Sequence, residues 1–506
     1  MSDEERIDSG GEDDGVDETK IRVSFVLAKS IRHDRSSLEL PSEPMAVPAT
    51  IRKKGLSAVV NHLLDRKVPT DGENSPDSDD DSDEEERLPA IPFDFLLNDR
   101  LLRLPLDSAA RKEGLSTEHA LELQYFPARL PPRREDESET LPDWITSMSF
   151  CSGSKNDEGV LFTGGADGAI RSFFSHDGRL QPVVTASCHT SPIKCLSTIQ
   201  QSDANTLVAT GSLDQTLITH TCKGGAMKLH ALYSGGHTNS IGSVAMKNDG
   251  GETLMSSGDW DGGLSLWRIP GVSAESNDEN ATALTKKSKG NRGSANSSSV
   301  AKLQEVKPLH SIKAHSSSIS GLEFGFESPT KLLTGGWDHG LKVYDTNRMD
   351  CILTLNGSRV ITSLSRCSNS DVVATSSPDC AVRLWDLRTG AGESGNVKTM
   401  DKSLRQSHKG AYVAMRGQLA EIFSTVGLSH LGWVSSVQWS PNDPFVLASA
   451  SHDGSLKVWD IRSTTPLHSV RAVKKKGEKA LCLAFGHDMV YTGGSDCVVS
   501  QFACKI

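Results

Sequence analysis

The chain has 506 residues, 24% of them charged, and a formal net charge of −11. Residues 1–20, predicted to be a disordered tail, contribute −7 and residues 71–87 contribute −9, so the remainder carries +5, which is only weakly suited to polyanions such as RNA. No run of about 18 apolar residues and no signal peptide occur, so we expect a cytosolic or nuclear protein without membrane association. The ten cysteines form no C-x-x-C pair, which argues against structural zinc and a disulfide framework.

The first ordered region is predicted to be a small domain over residues 21–130. A helix is predicted from apolar residues at helical spacing between Leu56 and Leu64, with Ser57 placed to cap its start. Strands are predicted at residues 21–27, 45–51, 93–97, 101–104 and 119–126. This order predicts a β-grasp, the ubiquitin-like fold, with the acidic tract at 70–88 as a surface loop.

An aspartate in a short turn recurs along the rest of the chain and defines a repeat. The seven turn aspartates are Asp167, Asp214, Asp261, Asp338, Asp379, Asp453 and Asp496. Their spacings are 47, 47, 77, 41, 74 and 43 residues, and a WD-type blade takes about 40–45, so the two long spacings need inserts. We therefore predict a mainly β chain with a seven-bladed WD40 β-propeller over residues 144–506 and inserts at 271–307 and 391–428. Residues 131–143 form a linker, and the strand that closes the last blade is placed loosely within 127–142.

Four turn aspartates are preceded, 23–25 residues earlier, by a histidine that can bond to them. A Ser or Thr of the second strand would link this histidine to an aromatic ring six residues after the aspartate, which gives a buried, fully paired network. The predicted structural residues are His189, Asp214, His237, Asp261, Trp267, His315, Asp338, Asp379, Trp385, His430, Asp453 and Trp459. Blades one, five and seven lack the histidine and are predicted to be less rigid.

No pattern in the sequence carries the chemistry of an enzyme. His–Asp–Ser sets occur four times, once in each of four repeats. A hydrolase has one catalytic triad per active site, so these sets are better explained by the repeat than by catalysis. No G-x-x-x-x-G-K-[ST] phosphate loop and no His/Cys cluster with metal-ligand spacing occur. We predict a non-catalytic protein with no cofactor, no intrinsic metal and no small-molecule substrate.

Several exposed features are candidates for partner contact or regulation, with an ordinary solvated surface as the alternative for each. Trp260 and Trp337 directly precede turn aspartates and are candidate hot spots on the propeller rim. A candidate nuclear import signal or RNA contact consists of Lys286, Lys287, Lys289 and Arg292. A second basic run consists of Arg471, Lys474, Lys475, Lys476 and Lys479. The candidate phosphorylation sites, each followed by an acid at +3, are Ser78 and Ser82.

Several segments resemble the eukaryotic family of WD repeat protein twelve, called Ytm in yeast. These segments are Gly55-Leu56-Ser57, Val60–Leu64, Pro92–Leu96, Leu101-Leu102-Arg103, Gly114-Leu115-Ser116 and Leu141–Trp144. The resemblance covers about residues 21–69, 88–270 and most of 308–506. The ubiquitin-like segment is its specific part, because many proteins share WD repeats. The acidic tract at 70–88 and the insert at 391–428 depart from the family.

The resemblance implies a nucleolar and nucleoplasmic assembly factor for the large (60S) ribosomal subunit, required for maturation of the large-subunit and 5.8S rRNA precursors. It implies a trimeric complex with the block-of-proliferation protein and pescadillo on the pre-60S particle, with rRNA contact left open. It also implies removal by midasin, an AAA+ ATPase whose metal-dependent adhesion domain grips a carboxylate in the loop after Gly-Leu-Ser. Glu118 matches that position, and a carboxylate oxygen suits an open site on Mg²⁺.

Two alternatives stay open. The notchless family has the same kind of N-terminal domain and is also released by midasin, but its propeller has eight blades. A substrate receptor of a cullin ubiquitin ligase would use the W-D-x-R pattern, which occurs at residues 385–388 and 459–462.

Overall fold

The structure is a computed structural model that describes residues 19–28, 38–41, 43–66, 89–152, 159–176, 179–202, 205–223, 226–249, 251–271, 304–325, 330–387, 430–463, 465–486 and 488–504. Over these residues the chain is mainly β with two helices, and it divides into a first unit, Met1–Arg129, and a second unit, Leu130–Ile506. Neither of the two described helices has the length and apolar character needed to cross a membrane.

The first unit is one mixed sheet with two helices packed on it. Its elements are β1 Lys20–Leu27, β2 Met45–Pro48, α1 Lys53–Leu63, β3 Phe93–Leu97, β4 Arg100–Leu101, α2 Leu106–Lys112 and β5 Leu121–Pro127. The sheet order is β2-β1-β5-β3-β4, with β1 parallel to β5 and the other neighbours antiparallel. Leu56 and Val60 lie one helical turn apart on α1 and pack into a core with Phe25, Phe95 and Tyr125.

Helix α1 is joined to β3 by polar contacts as well as by its apolar face. Ser57 lies inside α1, and its Oγ accepts the backbone N–H of Phe93 at 3.0 Å. The cap predicted at Ser57 is therefore wrong: the helix begins at Lys53, and Arg52 before it provides no side-chain cap. Lys53 Nζ also lies 2.5 Å from the buried carboxylate of Asp94 on β3. These contacts fix the helix against the sheet.

The segment after β4 differs from the sequence-based prediction. A strand is predicted at 101–104, but only Arg100–Leu101 pairs with β3, and the chain then turns into helix α2. Pro105, with an extended backbone, stands at the N-cap of α2, and Leu106 and Ala110 bury one turn apart in the core. Burial of this short apolar face outweighs the strand propensity of the leucine run.

The second unit contains seven sheets over its described residues. Their strands are β6 Arg133–Glu137, β7 Ile145–Ser152, β8 Gly159–Gly165, β9 Ala169–His176, β10 Arg179–Ser187, β11 Ile193–Ser202, β12 Asn205–Ser212, β13 Leu217–Lys223, β14 Ala226–Tyr233, β15 Ile241–Asp249, β16 Glu252–Asp259, β17 Gly263–Ile269, β18 Gln304–Val306, β19 His310–Lys313, β20 Ile319–Phe324, β21 Lys331–Gly336, β22 Gly340–Asp345, β23 Cys351–Asn356, β24 Ser363–Arg366, β25 Val372–Ser376, β26 Val382–Asp386, β27 Val434–Trp439, β28 Val446–Ser451, β29 Ser455–Asp460, β30 His468–Arg471, β31 Ala480–Phe485, β32 Met489–Gly494 and β33 Ser500–Ala503.

In chain order the seven sheets are β10-β9-β8-β7, β11-β12-β13-β14-β18, β15-β16-β17-β19, β20-β21-β22-β23, β24-β25-β26, β27-β28-β29-β30 and β31-β32-β33-β6. The first strands of successive sheets lie against one another from β7 through to β31, and β31 in turn lies against β7. Strand β6 pairs antiparallel with β33, so the start of the unit supplies the last strand of the seventh sheet.

Side chains near the start of the first strands bridge neighbouring sheets. Each hydroxyl donates a hydrogen bond to a backbone carbonyl in, or just before, the first strand of the following sheet. These bonds run from Thr146 to Ile193, Ser243 to Ile319, Ser320 to Ile361, Thr362 to Val434 and Ser435 to Ala480. Small hydroxyl residues at these positions therefore add directional bonds to the apolar packing between sheets.

The two predicted inserts lie mostly outside the described residues, and 391–428 lies there entirely. Of the segment 271–307, the structure describes its first residue and its last four. Three of these, Gln304–Val306, form β18, which pairs parallel with β14 and gives the second sheet a fifth strand. The end of this predicted insert is thus part of a sheet.

Candidate interaction sites

The turn that holds each repeated aspartate has the same backbone form in all seven sheets. The residue after the aspartate has a positive φ, from 59° at Cys497 to 85° at Gly262. At Gly262 a side chain has no room, because a Cβ would lie 2.2 Å from the carbonyl oxygen of His315. The tight turn brings the aspartate next to the loop that precedes the following strand.

Four sheets hold a histidine between a carboxylate and a hydroxyl. In the sixth sheet His430 Nδ1 donates to Asp453 at 3.1 Å and Nε2 accepts from Ser449 at 2.8 Å. The indole N–H of Trp459 donates to the same Ser449 at 2.8 Å. Burial alone would raise the pKa of Asp453, but the hydrogen bonds from His430 and Ser455 outweigh burial and hold this pKa below its usual value. The other histidine–carboxylate distances are 3.2 Å for His189–Asp214, 2.9 Å for His237–Asp259 and 2.7 Å for His315–Asp338.

The third sheet corrects the predicted partner of His237. Its Nδ1 bonds to Asp259 and not to the predicted Asp261, while Nε2 bonds to Ser257 at 2.6 Å. Asp259 stands at the end of β16 and also accepts the backbone N–H of Gly263 at 2.6 Å, whereas Asp261 is exposed and accepts from Asn239 at 3.0 Å. A buried carboxylate with several donors is better solvated by the protein than one at the turn tip, so Asp259 takes the network position.

Arginine takes the place of histidine in the first and fifth sheets. Arg171 donates to Asp167 through both terminal nitrogens, with Nη1 at 3.2 Å. Arg383 donates to Asp379 in the same way, with Nη1 at 3.0 Å. In the fifth sheet the indole of Trp385 donates to Thr375 at 2.7 Å. Neither arginine is among the predicted network residues, although each stands four residues after its aspartate. Their bidentate pairing gives these sheets a fixed turn without histidine.

The second sheet carries His220 where other sheets have an aromatic ring. His220 is buried, and its Nδ1 has no hydrogen-bond partner among the described residues. Burial, with smaller contributions from the nearby His189 and His230, lowers the pKa of His220 to about 4. The ring is therefore neutral at neutral pH.

We expect the second unit to lose stability on mild acidification through His220. Its folded-state pKa lies below the value of about 6.5 for an unfolded chain, so the neutral ring stabilises the fold above pH 6.5 and this contribution is lost as the pH falls towards 4. With a pKa of about 4 in the fold, the loss between pH 7 and pH 5 is about 2 kcal/mol, and His220→Leu removes this pH dependence. Urea unfolding followed by tryptophan fluorescence measures this, since all eight tryptophans lie in the second unit. The same pH dependence in both proteins would contradict the expectation.

Four of the eight tryptophans are exposed at the same end of their sheets. Trp260 and Trp337, 44% and 45% exposed, directly precede a turn aspartate, as the sequence analysis placed them. Trp144 and Trp433 are 50% and 52% exposed. Their backbone carbonyls accept the N–H of Ala166 and of His452, the residues that directly precede the turn aspartates of their sheets. This second pair is not among the predicted rim residues, because each tryptophan lies outside the turn, directly before the first strand of its sheet. Tryptophan is enriched among the hot-spot residues of protein interfaces, and unpaired bases can stack on exposed aromatic rings.

Glu118 lies in the exposed loop between α2 and β5 of the first unit. The loop starts at Gly114, whose φ of +68° follows the end of α2, and the N–H of Leu115 reaches back to the carbonyl of Ala110 at 2.9 Å. The backbone of Glu118 is held by Ser116 Oγ at 3.3 Å. Arg22 donates to the backbone carbonyl of Glu118 at 3.3 Å, while the Glu118 carboxylate has no hydrogen bond or ion pair among the described residues.

Some candidate residues of the sequence analysis lie outside the described residues. They are Ser78, Ser82, Lys286, Lys287, Lys289 and Arg292. Within the described ranges, no group of three or more His, Cys, Asp or Glu side chains could hold a metal ion. All ten cysteines are free thiols.

Comparison with known families adds two matches to this geometry. The NLE (NUC135) domain matches residues 26–110, and the WD domain, G-beta repeat, matches residues 180–218, 228–268, 306–345, 349–386 and 423–460. Glu118 lies eight residues beyond the end of the NLE match. The molecule is therefore a mainly β WD-repeat protein with an NLE domain in its first unit.

Relatives over nearly the whole chain carry one kind of name. A ribosome biogenesis protein WDR12 homolog of Chlamydomonas reinhardtii is 28% identical, over 96% of this chain and 98% of its own length. A WDR12 homolog of Oryza sativa subsp. japonica is 28% identical over 98% of this chain and 99% of its own length. The ribosome biogenesis protein YTM1 of Saccharomyces cerevisiae is 24% identical over 92% of both chains. Over nearly its whole length the chain is similar to these WDR12- and YTM1-type ribosome biogenesis proteins.

Proposed function

We propose that this protein is a non-catalytic assembly factor of the large (60S) ribosomal subunit, acting in the nucleolus and nucleoplasm in maturation of the large-subunit and 5.8S rRNA precursors. The observation that carries the proposal is the exposed, unpaired carboxylate of Glu118 on a structured loop of the NLE-containing unit. The names of the relatives support the process in which it acts.

For the fold, we propose a ubiquitin-like first domain over 21–130 and a seven-bladed WD40 propeller over 144–506. The sheet order with its central parallel pair supports the first, since a β-grasp places its first and last long strands side by side. The seven sheets with neighbouring first strands, and the pairing of β6 with β33, support the second. In this proposal the segment 131–143 supplies the closing strand.

Each unit has a separate proposed task. The propeller docks on the pre-60S particle in a complex with the block-of-proliferation protein and pescadillo, with Trp260 and Trp337 as contacts. Glu118 completes the coordination of a Mg²⁺ held by the adhesion domain of midasin, which then pulls the factor from the particle by ATP-driven force. A hard cation with an open position favours a charged oxygen ligand, and Glu118 offers one that no neighbour occupies.

Affinity purification of the tagged protein from nuclear extract tests this function. We expect pescadillo, the block-of-proliferation protein and large-subunit rRNA precursors to copurify. Trp260→Ala/Trp337→Ala is expected to reduce recovery of the two proteins at least threefold, because rim tryptophans are typical hot spots. Recovery of cullin adaptors in place of pescadillo would reject the proposal.

The environment of Arg462 argues against the cullin receptor. Its guanidinium bonds to Asp460 at 2.9 Å and 2.7 Å, its side chain is 5% exposed, and it lies 4.4 Å over the ring of Phe445. An adaptor could not reach this arginine without unpairing a buried charge. The other candidate arginine, Arg388, lies outside the described residues. Against the notchless family, seven sheets are described in the second unit where eight blades would be needed.

A further inference from the structure

Trp433 and His452 form an exposed aromatic pair at the end of the sixth sheet. Their rings are nearly parallel, with centroids 5.8 Å apart and an interplanar angle of 17°. Trp433 is 52% exposed despite this stacking, and Leu431 beside it is 91% exposed. The sheet thus presents a flat apolar surface to solvent.

The backbone holds this pair in place. The N–H of His452 donates to the carbonyl of Trp433 at 2.9 Å, and the N–H of Leu431 donates to Asp453 at 2.8 Å. A Cβ at Gly432 would lie 2.8 Å from the backbone nitrogen of Asp453, so glycine permits the close approach of the two segments. A partner would therefore meet a preformed surface and would not have to order it.

Two lysines without ion pairs lie near His452, and two more precede one of them on the same loop. Lys194 and Lys479 lie close enough to His452 that, after burial, their charges help to lower its pKa. Lys475 and Lys476 are exposed on the loop that precedes β31. None of these four lysines has an acidic partner among the described residues.

The acids nearby do not cancel these lysines. The Glu478 carboxylate accepts the backbone N–H of Lys475 at 2.9 Å, and Asp496 accepts the backbone N–H of Lys474 at 3.2 Å. Glu137 is paired with the Lys474 ammonium at 2.8 Å. Asp453, directly after His452, adds a fourth carboxylate, so the five lysines of this region exceed the named acids by one charge.

Within the described ranges, none of the other three exposed tryptophans stacks on a second ring. Near Trp337, Arg359 pairs with Asp379 at 3.5 Å and the Lys342 ammonium donates to a backbone carbonyl at 2.7 Å. Next to Trp260, the Lys313 ammonium donates to the backbone carbonyl of Asp261, whose carboxylate is exposed. The lysines near the Trp433–His452 pair come from the seventh sheet and, for Lys194, from the second sheet.

We propose that Trp433, His452 and Lys194, with Lys475, Lys476 and Lys479, form a binding site for single-stranded RNA. An unpaired base can stack on the aromatic pair while lysines contact the flanking phosphates. A duplex hides its base faces, and an acidic peptide would use the lysines but gain little from a flat ring surface. The inference deepens the proposed function, since an assembly factor on a pre-ribosome meets unpaired rRNA. Its test needs only the purified chain, so it fails or succeeds independently of the proposed protein partners.

Fluorescence anisotropy of the full chain with a labelled oligouridine of about 12 nucleotides, a length one such site can cover, tests the proposal. Trp433→Ala is expected to weaken binding about tenfold, and Trp433→Phe to restore most of it. Trp144→Ala is the matched control, because its ring is 50% exposed at the same end of another sheet and stacks on no second ring among the described residues, and it should bind as the wild type does. Lys475→Glu/Lys476→Glu/Lys479→Glu should weaken binding further and lower the salt slope by about 2.

Four results would overturn the proposal. They are unchanged binding by Trp433→Ala, equal loss in Trp433→Ala and Trp144→Ala, equal affinity for duplex RNA of the same length, and equally strong competition by polyglutamate. Tryptophan fluorescence during urea unfolding establishes whether each variant retains the stability of the wild type. Since Lys→Glu variants on an exposed loop do not touch the core, they keep the test valid even if Trp433→Ala destabilises its sheet.

Discussion

Asp259→Ala is expected to destabilise the second unit by about 3 kcal/mol, whereas Asp261→Ala, two residues away in the same turn, is expected to cost less than about 0.5 kcal/mol. The Asp259 side chain is 4% exposed and bonds to His237 at 2.9 Å and to the N–H of Gly263 at 2.6 Å. Its removal leaves buried donors without an acceptor, and each such donor costs about 1–3 kcal/mol. Asp261 is exposed, and its single described side-chain contact is with Asn239.

The two variants form a matched pair, because both remove one carboxylate from one turn. Urea unfolding followed by tryptophan fluorescence at pH 7 gives the free energy of unfolding of the second unit alone. The variant His237→Ala should resemble Asp259→Ala, and the double variant should cost much less than the sum of the two. Equal effects at positions 259 and 261 would show that His237 uses the turn aspartate after all.

Glu118→Ala is expected to reduce binding of the first unit's loop to midasin about 100-fold or more while leaving the melting temperature unchanged. The carboxylate has no partner within the described residues, so folding loses nothing, whereas the proposed metal loses a charged ligand. Glu118→Gln should behave in the same way, because an amide oxygen carries no charge to a cation.

Glu122→Ala is the control for this experiment. Glu122 is also an exposed carboxylate, four residues further on β5, and should bind midasin normally after substitution. Chelation of Mg²⁺ by EDTA should abolish binding of the wild-type chain and leave the Glu118→Ala protein as it was. Full binding by Glu118→Ala would reject Glu118 as the ligand without touching the role of the second unit.

The mainly β class and the WD repeats could be predicted from the sequence, because each repeat keeps an aspartate in a turn and a ring six residues later. Which of two aspartates in a repeat the histidine contacts could not be predicted. His237 stands 22 residues before Asp259 and 24 before Asp261, and only the burial of Asp259 at the strand end separates them. The pairing of the turn arginines could have been predicted, since Arg171 and Arg383 each stand four residues after their aspartates.

In the first unit, local sequence patterns could not predict helix α2 or the place of Ser57 inside helix α1. Ser57 resembles a cap until the structure places Phe93 against it, and seven residues of helix leave little periodicity to detect. The strand β18 follows a polar segment and pairs with β14, more than 70 residues upstream. Contacts so distant in sequence depend on tertiary packing and leave no local signal.

Depletion of the protein, followed by pulse labelling of rRNA, tests the proposed function most directly. We expect precursors of the large-subunit and 5.8S rRNAs to accumulate while small-subunit rRNA matures normally, and re-expression of the wild-type chain to restore processing. Normal maturation of large-subunit rRNA in depleted cells would contradict an assembly role for this protein.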